Sequence, residues 1–265
     1  MPAFTDQTGR TILLESIPQR IISLVPSQTE LLFDLGLDEQ VIGITKFCVH
    51  PPEWFYTKTR AGGTKKLHID TIHQLQPDLI IANKEENVKE QIEELATDLP
   101  VWLTDVNNLS DALNMILDIG QLTSRNEEAK TLANEISTAF SSIVKIPGKV
   151  KAAYLIWQKP LMAVGNDTFI HDMLCKCGLT NIFANRARYP EITIEELKEA
   201  NCELLLLSTE PYPFKNKHVQ DFQNLLTGTQ VMLVDGEFFS WYGSRLLQSA
   251  SYFSKLSADI IIKPL

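Results

Sequence analysis

The five histidines of this 265-residue chain, His50, His68, His73, His171 and His218, are scattered and form no metal-ligand spacing. His68 and His73 stand five apart, an interval that does not share a helical face. No G-x-S-x-G elbow, H-E-x-x-H, G-x-x-x-x-G-K-[ST] or G-x-G-x-x-G occurs, so no catalytic or nucleotide-binding motif is present. Gly62-Gly63-Thr64-Lys65 offers backbone amides to an anion, but a glycine-rich turn alone is a weak signal. Cys175 and Cys177 have one residue between them, where redox and zinc motifs have two. Together with Cys48 and Cys202 they are expected as free thiols. His50 stands apart from the other histidines. It lies in a loop after a predicted strand, beside Pro51-Pro52, where ligand sites of open α/β sheets gather.

Aromatic and polar residues cluster after the predicted strands. The first half of the chain offers Phe47, His50, Thr64, Asn83, Lys84 and Asn87. The second offers Trp157, Tyr189, Glu210, Tyr212, Glu237, Phe238, Trp241, Tyr242 and Arg245. Aromatic walls with a few polar anchors suit a large, flat, partly apolar small molecule. The alternative role for each is packing beneath a long loop.

The elements that must position these residues follow from hydrophobic period. A hairpin is expected over 5–18 with Thr8-Gly9 near its turn, and a continuous apolar strand over 21–25, suited to burial on both faces. Ser27 with Glu30 has capping-box spacing for the helix that ends near Gly36. Strands are expected at 41–44, 79–82 and 101–104, with helices at 70–75, 85–96 and 110–122. Residues 124–144 have apolar positions at i, i+3 and i+4, Ser124 and Glu127 at capping-box spacing, and Pro147-Gly148 beyond. They predict a helix of ~30 Å, a rod between two lobes. The pattern then restarts, with strands at 150–157, 161–164, 204–207 and 231–234 and helices at 168–177, 195–200, 217–226 and 245–256. Strands alternating with helices mean α/β with a mostly parallel sheet. The stretch beginning Ile69-Asp70 and ending Asp78-Leu79-Ile80-Ile81 is echoed 125 residues later by Ile194-Glu195 through Glu203-Leu204-Leu205-Leu206. Val101-Trp102-Leu103-Thr104-Asp105 is echoed by Val231-Met232-Leu233-Val234-Asp235. Two echoes in order favour two homologous lobes.

The net charge of −9 argues against nucleic acid and anionic membrane surfaces as partners. No run of 18 apolar residues is present, so no membrane-spanning segment is expected, and no secretory leader is visible at the N-terminus.

RIISLVPSQTELLFDLG, followed by HPPEW, GGT, QLQPDLIIAN and the long central helix, resembles the helical-backbone (class III) periplasmic substrate-binding proteins of ABC importers. That class captures cobalamin, ferric siderophores and haem. The resemblance runs from about Thr5 to the C-terminus, and within the class it is closest to the cobalamin-binding proteins. It implies an α/β fold of two Rossmann-like lobes with parallel sheets, 1–122 and 147–265. A backbone helix over 123–146 joins them at a nearly fixed angle. It also implies a ligand in the cleft, a cobalt corrinoid or an iron chelate, on which no chemistry is done, and no cofactor of the protein's own. By position, the aromatic before the double proline becomes His50. The cleft tryptophans fall at Thr64, Asn83 and Tyr189, and an acidic residue near the C-terminal loop falls at Glu237. Trp157, Trp241 and Tyr242 are expected as replacement walls, with Arg245 among the polar anchors. No metal site is expected apart from the approach of His50 to a corrin cobalt or haem iron.

The resemblance further implies docking on permease subunits through one acid per lobe, here Asp70 and Glu195. Each would meet arginines of a membrane subunit in charge-assisted geometry; the alternative is plain helix-dipole stabilisation. A monomer in the periplasm or cell envelope is expected. The rivals are a receptor for a ferric siderophore or haem, and an intracellular, cytoplasmic corrinoid- or tetrapyrrole-binding protein.

Overall fold

The computed structural model describes residues 2–260; Met1 and residues 261–265, which the boundaries 1–122 and 147–265 include, lie outside the described residues. In chain order the first half comprises β1 (Ala3–Thr5), β2 (Thr11–Leu13), β3 (Ile21–Ser23), α1 (Pro26–Asp34), β4 (Val41–Ile44), α2 (Pro52–Thr57), β5 (Thr59–Arg60), α3 (Ile69–Gln74), β6 (Leu79–Asn83), α4 (Lys89–Leu95) and β7 (Val101–Thr104). Helices α5 (Leu109–Leu122) and α6 (Asn126–Ser141) follow. The second half comprises β8 (Lys151–Trp157), β9 (Met162–Ala163), α7 (Phe169–Lys176), β10 (Thr180–Asn181), α8 (Ile194–Glu199), β11 (Leu204–Ser208), α9 (Asn216–Leu225), β12 (Gln230–Val234), α10 (Glu237–Ser240) and α11 (Leu246–Asp259).

The fold is α/β in two lobes, each with its own largely parallel sheet. The first compact unit runs to Val106 and adds Ser110–Ile136 and the short segment Tyr242–Arg245. The second takes Asn107–Leu109, Ser137–Trp241 and, of the described residues, 246–260. By contacts the division falls inside α6, between Ile136 and Ser137, within the span 123–146 expected as the connecting helix between 1–122 and 147–265.

In the first unit the sheet order is β5-β4-β3-β6-β7, all parallel. Ile22, Leu24, Ile80, Ala82, Val101 and Leu103 pack into one core on one face. The intervening Ile21, Leu79, Ile81 and Trp102 are buried as well. Burial on both faces is why these strands read as continuous apolar runs. The chain builds outward from β3 through β4 to β5 and returns to β6 on the other side of β3. The second unit repeats this with order β10-β8-β11-β12, β9 pairing antiparallel to β8. Each sheet thus has a topological switch point, at β3/β6 and at β8/β11, beyond whose carboxyl ends open α/β sheets bind ligands.

The internal echo extends to hydrogen bonds. Asp78 accepts from the backbone N–H groups of Gln19 (2.7 Å) and Arg20 (2.8 Å) at the start of β3. Glu203 accepts from the backbone N–H of Lys151 (2.8 Å) at the start of β8. The backbone N–H of each acid answers, Asp78 to Arg20 O and Glu203 to Lys151 O, at 3.0 and 2.8 Å. One acid in each half therefore ties the first strand to the strand across the switch point.

Two expected capping boxes are not formed. Helix α1 is entered through extended Val25 with Pro26 at its first turn and no side-chain cap, and the Glu30 carboxylate goes to Arg245. Ser124 has φ 59 and sits in the left-handed turn after α5, so α6 begins at Asn126. At 16 residues α6 is shorter than the rod expected over 124–144, about 24 Å long at 1.5 Å per residue. A true capping box opens α8 instead. Thr193 Oγ1 accepts from Glu196 N–H (3.2 Å), and the Glu196 carboxylate accepts from Thr193 N–H (2.7 Å). Helix α2 and strand β5 fill a stretch that was expected as loop. The hairpin β1–β2 turns at Gly9 with φ 84, as its sequence suggested.

Helices α5 and α6 approach so closely that a Cβ on Gly120 would lie 2.3 Å from the Cβ of Ala129 and 3.0 Å from Arg125 O. The turn at Ser124–Arg125 leaves neither helix room to withdraw. Gly120→Ala should lower stability by about 1–3 kcal/mol despite its gain in helix propensity. A urea titration would read this as a lower midpoint with an unchanged slope; a raised midpoint would contradict the packing.

Candidate ligand site

In the first unit a hydrogen-bonded network fixes the loops beyond β3, β5 and β6. Asn87 is the staple. Its Oδ1 accepts from Asn83 N–H (2.9 Å), and its Nδ2 donates to Thr64 O (3.1 Å) and Leu24 O (3.4 Å). Asn83, 2% exposed, closes its own turn. Its Oδ1 accepts from the backbone of Glu85 (2.8 Å) and Glu86 (3.1 Å), and its Nδ2 donates to Thr104 O (3.1 Å) and Oγ1 (3.0 Å). Gln28 Nε2 also reaches Thr104 Oγ1. Buried amides are retained where their hydrogen bonds are made. Asn83 and Thr64 are both buried, and the Asn83 side chain and the Thr64 carbonyl belong to this network. Phe47 is 51% exposed, with Lys46 Nζ 5.1 Å from its ring centroid. Gly63 permits this, since a Cβ there would come within 3.1 Å of the Phe47 ring. His50 is half-buried on the same loop.

Tyr242–Arg245 belongs to this unit and packs on the start of α1, where a Cβ on Gly243 would lie 2.5 Å from Ser27 O. Arg245 grips Glu30 through two nitrogens, Nε to Oε2 (2.9 Å) and Nη2 to Oε1 (2.6 Å). Both side chains are largely buried. Burial raises the Glu30 carboxyl above its ordinary range, with Arg245 pulling part of the way back. Tyr242 is buried beside it in sequence. Arg245, expected as a polar ligand anchor, has its guanidinium committed to this ion pair.

In the second unit Trp157 ends β8. It is 39% exposed, yet its ring is held edge-on to Tyr212 at 5.6 Å and its Nε1 donates to Lys159 O at 3.1 Å. Tyr212 in turn packs on Phe214 and donates to Gln158. Glu210, after β11, accepts from Ser240 Oγ (2.6 Å) and Trp241 Nε1 (3.0 Å). Trp241 is accordingly buried, an anchor for Glu210 more than a surface. Tyr189 is half-buried under Arg188, whose guanidinium carbon lies 5.6 Å from its ring. Glu237, also half-buried, opens α10.

Of the nine expected ligand contacts, His50, Trp157, Tyr189 and Glu237 keep accessible side chains, while Thr64, Asn83, Trp241, Tyr242 and Arg245 are buried. The roles of Glu30, Gln28, Thr104 and Ser240 were not read from sequence, because their partners lie far along the chain. Asp70 and Glu195 are both exposed and occupy the second position of equivalent six-residue helices, α3 and α8, that feed β6 and β11. All four cysteines are free thiols; burial pushes Cys177 and Cys202 up to about 12, leaving both inert at neutral pH.

A family model described as periplasmic binding protein matches residues 21–225. A vitamin B12-binding protein of Pectobacterium atrosepticum is 25% identical over 259 residues, covering 94% of this chain and 92% of that protein. Among solved structures, the periplasmic vitamin B12-binding protein BtuF of Vibrio cholerae superimposes with a TM-score of 0.75 at 19% identity, covering 92% of this chain and 98% of that one. The periplasmic haem-binding protein RhuT of Roseiflexus sp. RS-1 gives 0.78 at 19% identity, covering 91% and 98%. Likeness at this identity establishes the fold.

Replacing Arg245 by Met strands Glu30 in a desolvated pocket, which should cost about 3–5 kcal/mol at neutral pH. The sign with pH follows from the raised Glu30 pKa. As pH falls through it the carboxyl takes up a proton in the folded state, so the deficit of Arg245→Met should shrink on acidification. Denaturant midpoints at neutral and mildly acidic pH check both, and a deficit that grows in acid would refute the assignment.

Proposed function

Since the chain belongs to the periplasmic binding protein family, a substrate-binding family of the cell envelope, we propose that it is the substrate-binding component of an ABC importer for a corrinoid, cobalamin-like ligand. Similarity to vitamin B12-binding relatives along nearly the whole chain carries the reading. Physical support comes from each unit separately. Phe47 and Trp157 are large aromatic faces left open at the strand ends and immobilised by neighbours, which is how a flat, partly apolar ring is bound at low entropic cost. His50, Tyr189 and Glu237 complete the proposed contacts, with the buried expected residues acting as their frame. The ligand is bound and handed on unchanged.

No helix among the described residues is long and apolar enough to cross a membrane; delivery to a separate permease is part of the proposal. We assign docking to Asp70 and Glu195, exposed carboxylates at matching positions of the two units. An acidic iron chelate is the second reading, favoured by exposed Lys46, Lys65 and Lys66 on the loops of the first unit.

Calorimetric titration with cyanocobalamin, run beside haem and a ferric siderophore, should give one-to-one corrinoid binding. Trp157→Ala should weaken it about thirtyfold, ~2 kcal/mol for a central aromatic contact. Binding of an iron chelate alone would keep the family and move the ligand. Asp70→Lys with Glu195→Lys should abolish uptake in cells while leaving cyanocobalamin affinity intact; a parallel loss of affinity would remove the docking role.

A further inference from the structure

Residues 62–66 form the turn beyond β5 in the first unit. Gly62 enters it at φ 102, a left-handed value, and a Cβ there would lie 2.5 Å from Lys66 O. The carbonyls of the turn are held one by one. Gly62 O accepts from Lys46 N–H (2.8 Å), Thr64 O from Asn87 Nδ2 (3.1 Å), Lys65 O from Gln91 Nε2 (3.1 Å) and Lys66 O from Gly63 N–H (2.8 Å). Gln91 is itself fixed, since its Oε1 accepts from Leu67 N–H at 2.8 Å. The Thr64–Lys65 and Lys65–Lys66 peptides are trans, and in a planar trans peptide the N–H points opposite to the carbonyl. Asn87, just before α4, and Gln91, within it, draw these two carbonyls toward that helix. The N–H groups of Lys65 and Lys66 are therefore turned the other way, and neither has an acceptor among the described residues. The surrounding charge suits an anion. The Lys46 stem lies against Gly63, where a Cβ would come 3.2 Å from Cε, and Lys46, Lys65 and Lys66 are all exposed. Lys65 Nζ donates to Glu85 O at 2.6 Å and attracts Glu86, so three ammonium groups stand against the two carboxylates of the adjoining turn.

We propose that this turn is an oxyanion-binding site, in which the backbone N–H groups of Lys65 and Lys66 receive a phosphate or carboxylate group. Successive backbone N–H groups in a turn form concavities for anions. Each hydrogen bond to the bound anion is charge-assisted. Asn87 and Gln91 set the two peptide planes before the anion arrives, so little ordering is left to be done on binding. The lysine side chains add attraction at long range but do not shape the site. The oxyanion is either a free inorganic ion or a group on the captured molecule, and the site does not depend on which ring that molecule carries.

The experiment titrates the full chain, labelled with nitrogen-15, with inorganic phosphate against chloride at constant ionic strength. The amide resonances of Lys65 and Lys66 should move downfield together and saturate. Lys66→Pro deletes one of the two N–H groups, whereas Lys66→Ala keeps it and deletes only the ammonium. Phosphate affinity should fall about tenfold or more in Lys66→Pro and only about twofold in Lys66→Ala. Equal losses in the two variants would make the lysine charge the site and overturn the proposal. So would wild-type amide shifts at Lys65 and Lys66 that fail to saturate, a result that stands even if Lys66→Pro does not fold. Repeating the titration with cyanocobalamin and with haem present separates the two sources. Phosphate that competes with either assigns the oxyanion to the captured molecule, and phosphate bound alongside both assigns it to a free ion.

Discussion

A parallel strand buried on both faces must end somewhere, and its last backbone groups cannot be left without partners. That requirement organises both units. In the first, Asn87, Asn83 and Thr104 gather the ends of three segments into one hydrogen-bonded knot. In the second, Ser208 and Glu210 fold the chain back against Gly236 and Trp241. The knots turn a set of loops into a rigid frame, and the exposed aromatics stand on that frame. The polar residues nearest the strand ends are thus engaged by the architecture.

The energetic terms differ in kind between the two units. The first spends a desolvated ion pair, Arg245 on Glu30, whose net contribution is small although removal of either partner is expensive. The second relies on neutral donors to one carboxylate and on edge-to-face aromatic packing around Tyr212, terms worth about 1–3 kcal/mol each. Neither arrangement is a strong source of stability. Both hold a side chain in one orientation, which matters more at a binding surface than in a core.

The strand runs at Ile21, Leu79, Val101 and Leu204 were legible because burial on both faces leaves an unbroken apolar signature. The hairpin at Gly9 and the α7 helix between Thr168 and Gly178 were legible from local backbone chemistry. The internal echo was legible too, and Asp78 and Glu203 carry it into tertiary structure. Capping boxes at Ser27 and Ser124 were misread, since the S-x-x-E spacing is satisfied by any helix surface and Glu30 had a distant partner. For the candidate site, the sequence marked positions after the strands. Which of them face solvent was not legible, because Asn83 and Trp241 are buried by contacts 21 and 31 residues away.

The segment Tyr242–Arg245 gives the first unit a dependence on the far end of the chain. A polypeptide emerging from the ribosome, or from a secretion channel, presents Glu30 more than two hundred residues before Arg245 appears. Until then the start of α1 lacks its covering strap and the carboxylate at its first turns lacks its cation. Contacts of such sequence separation form late, because chain closure must be paid for in entropy before they repay it. Synthesis therefore keeps the first unit immature until the strap that covers the start of α1 has been made, so its maturation waits on a segment that lies beyond most of the second unit.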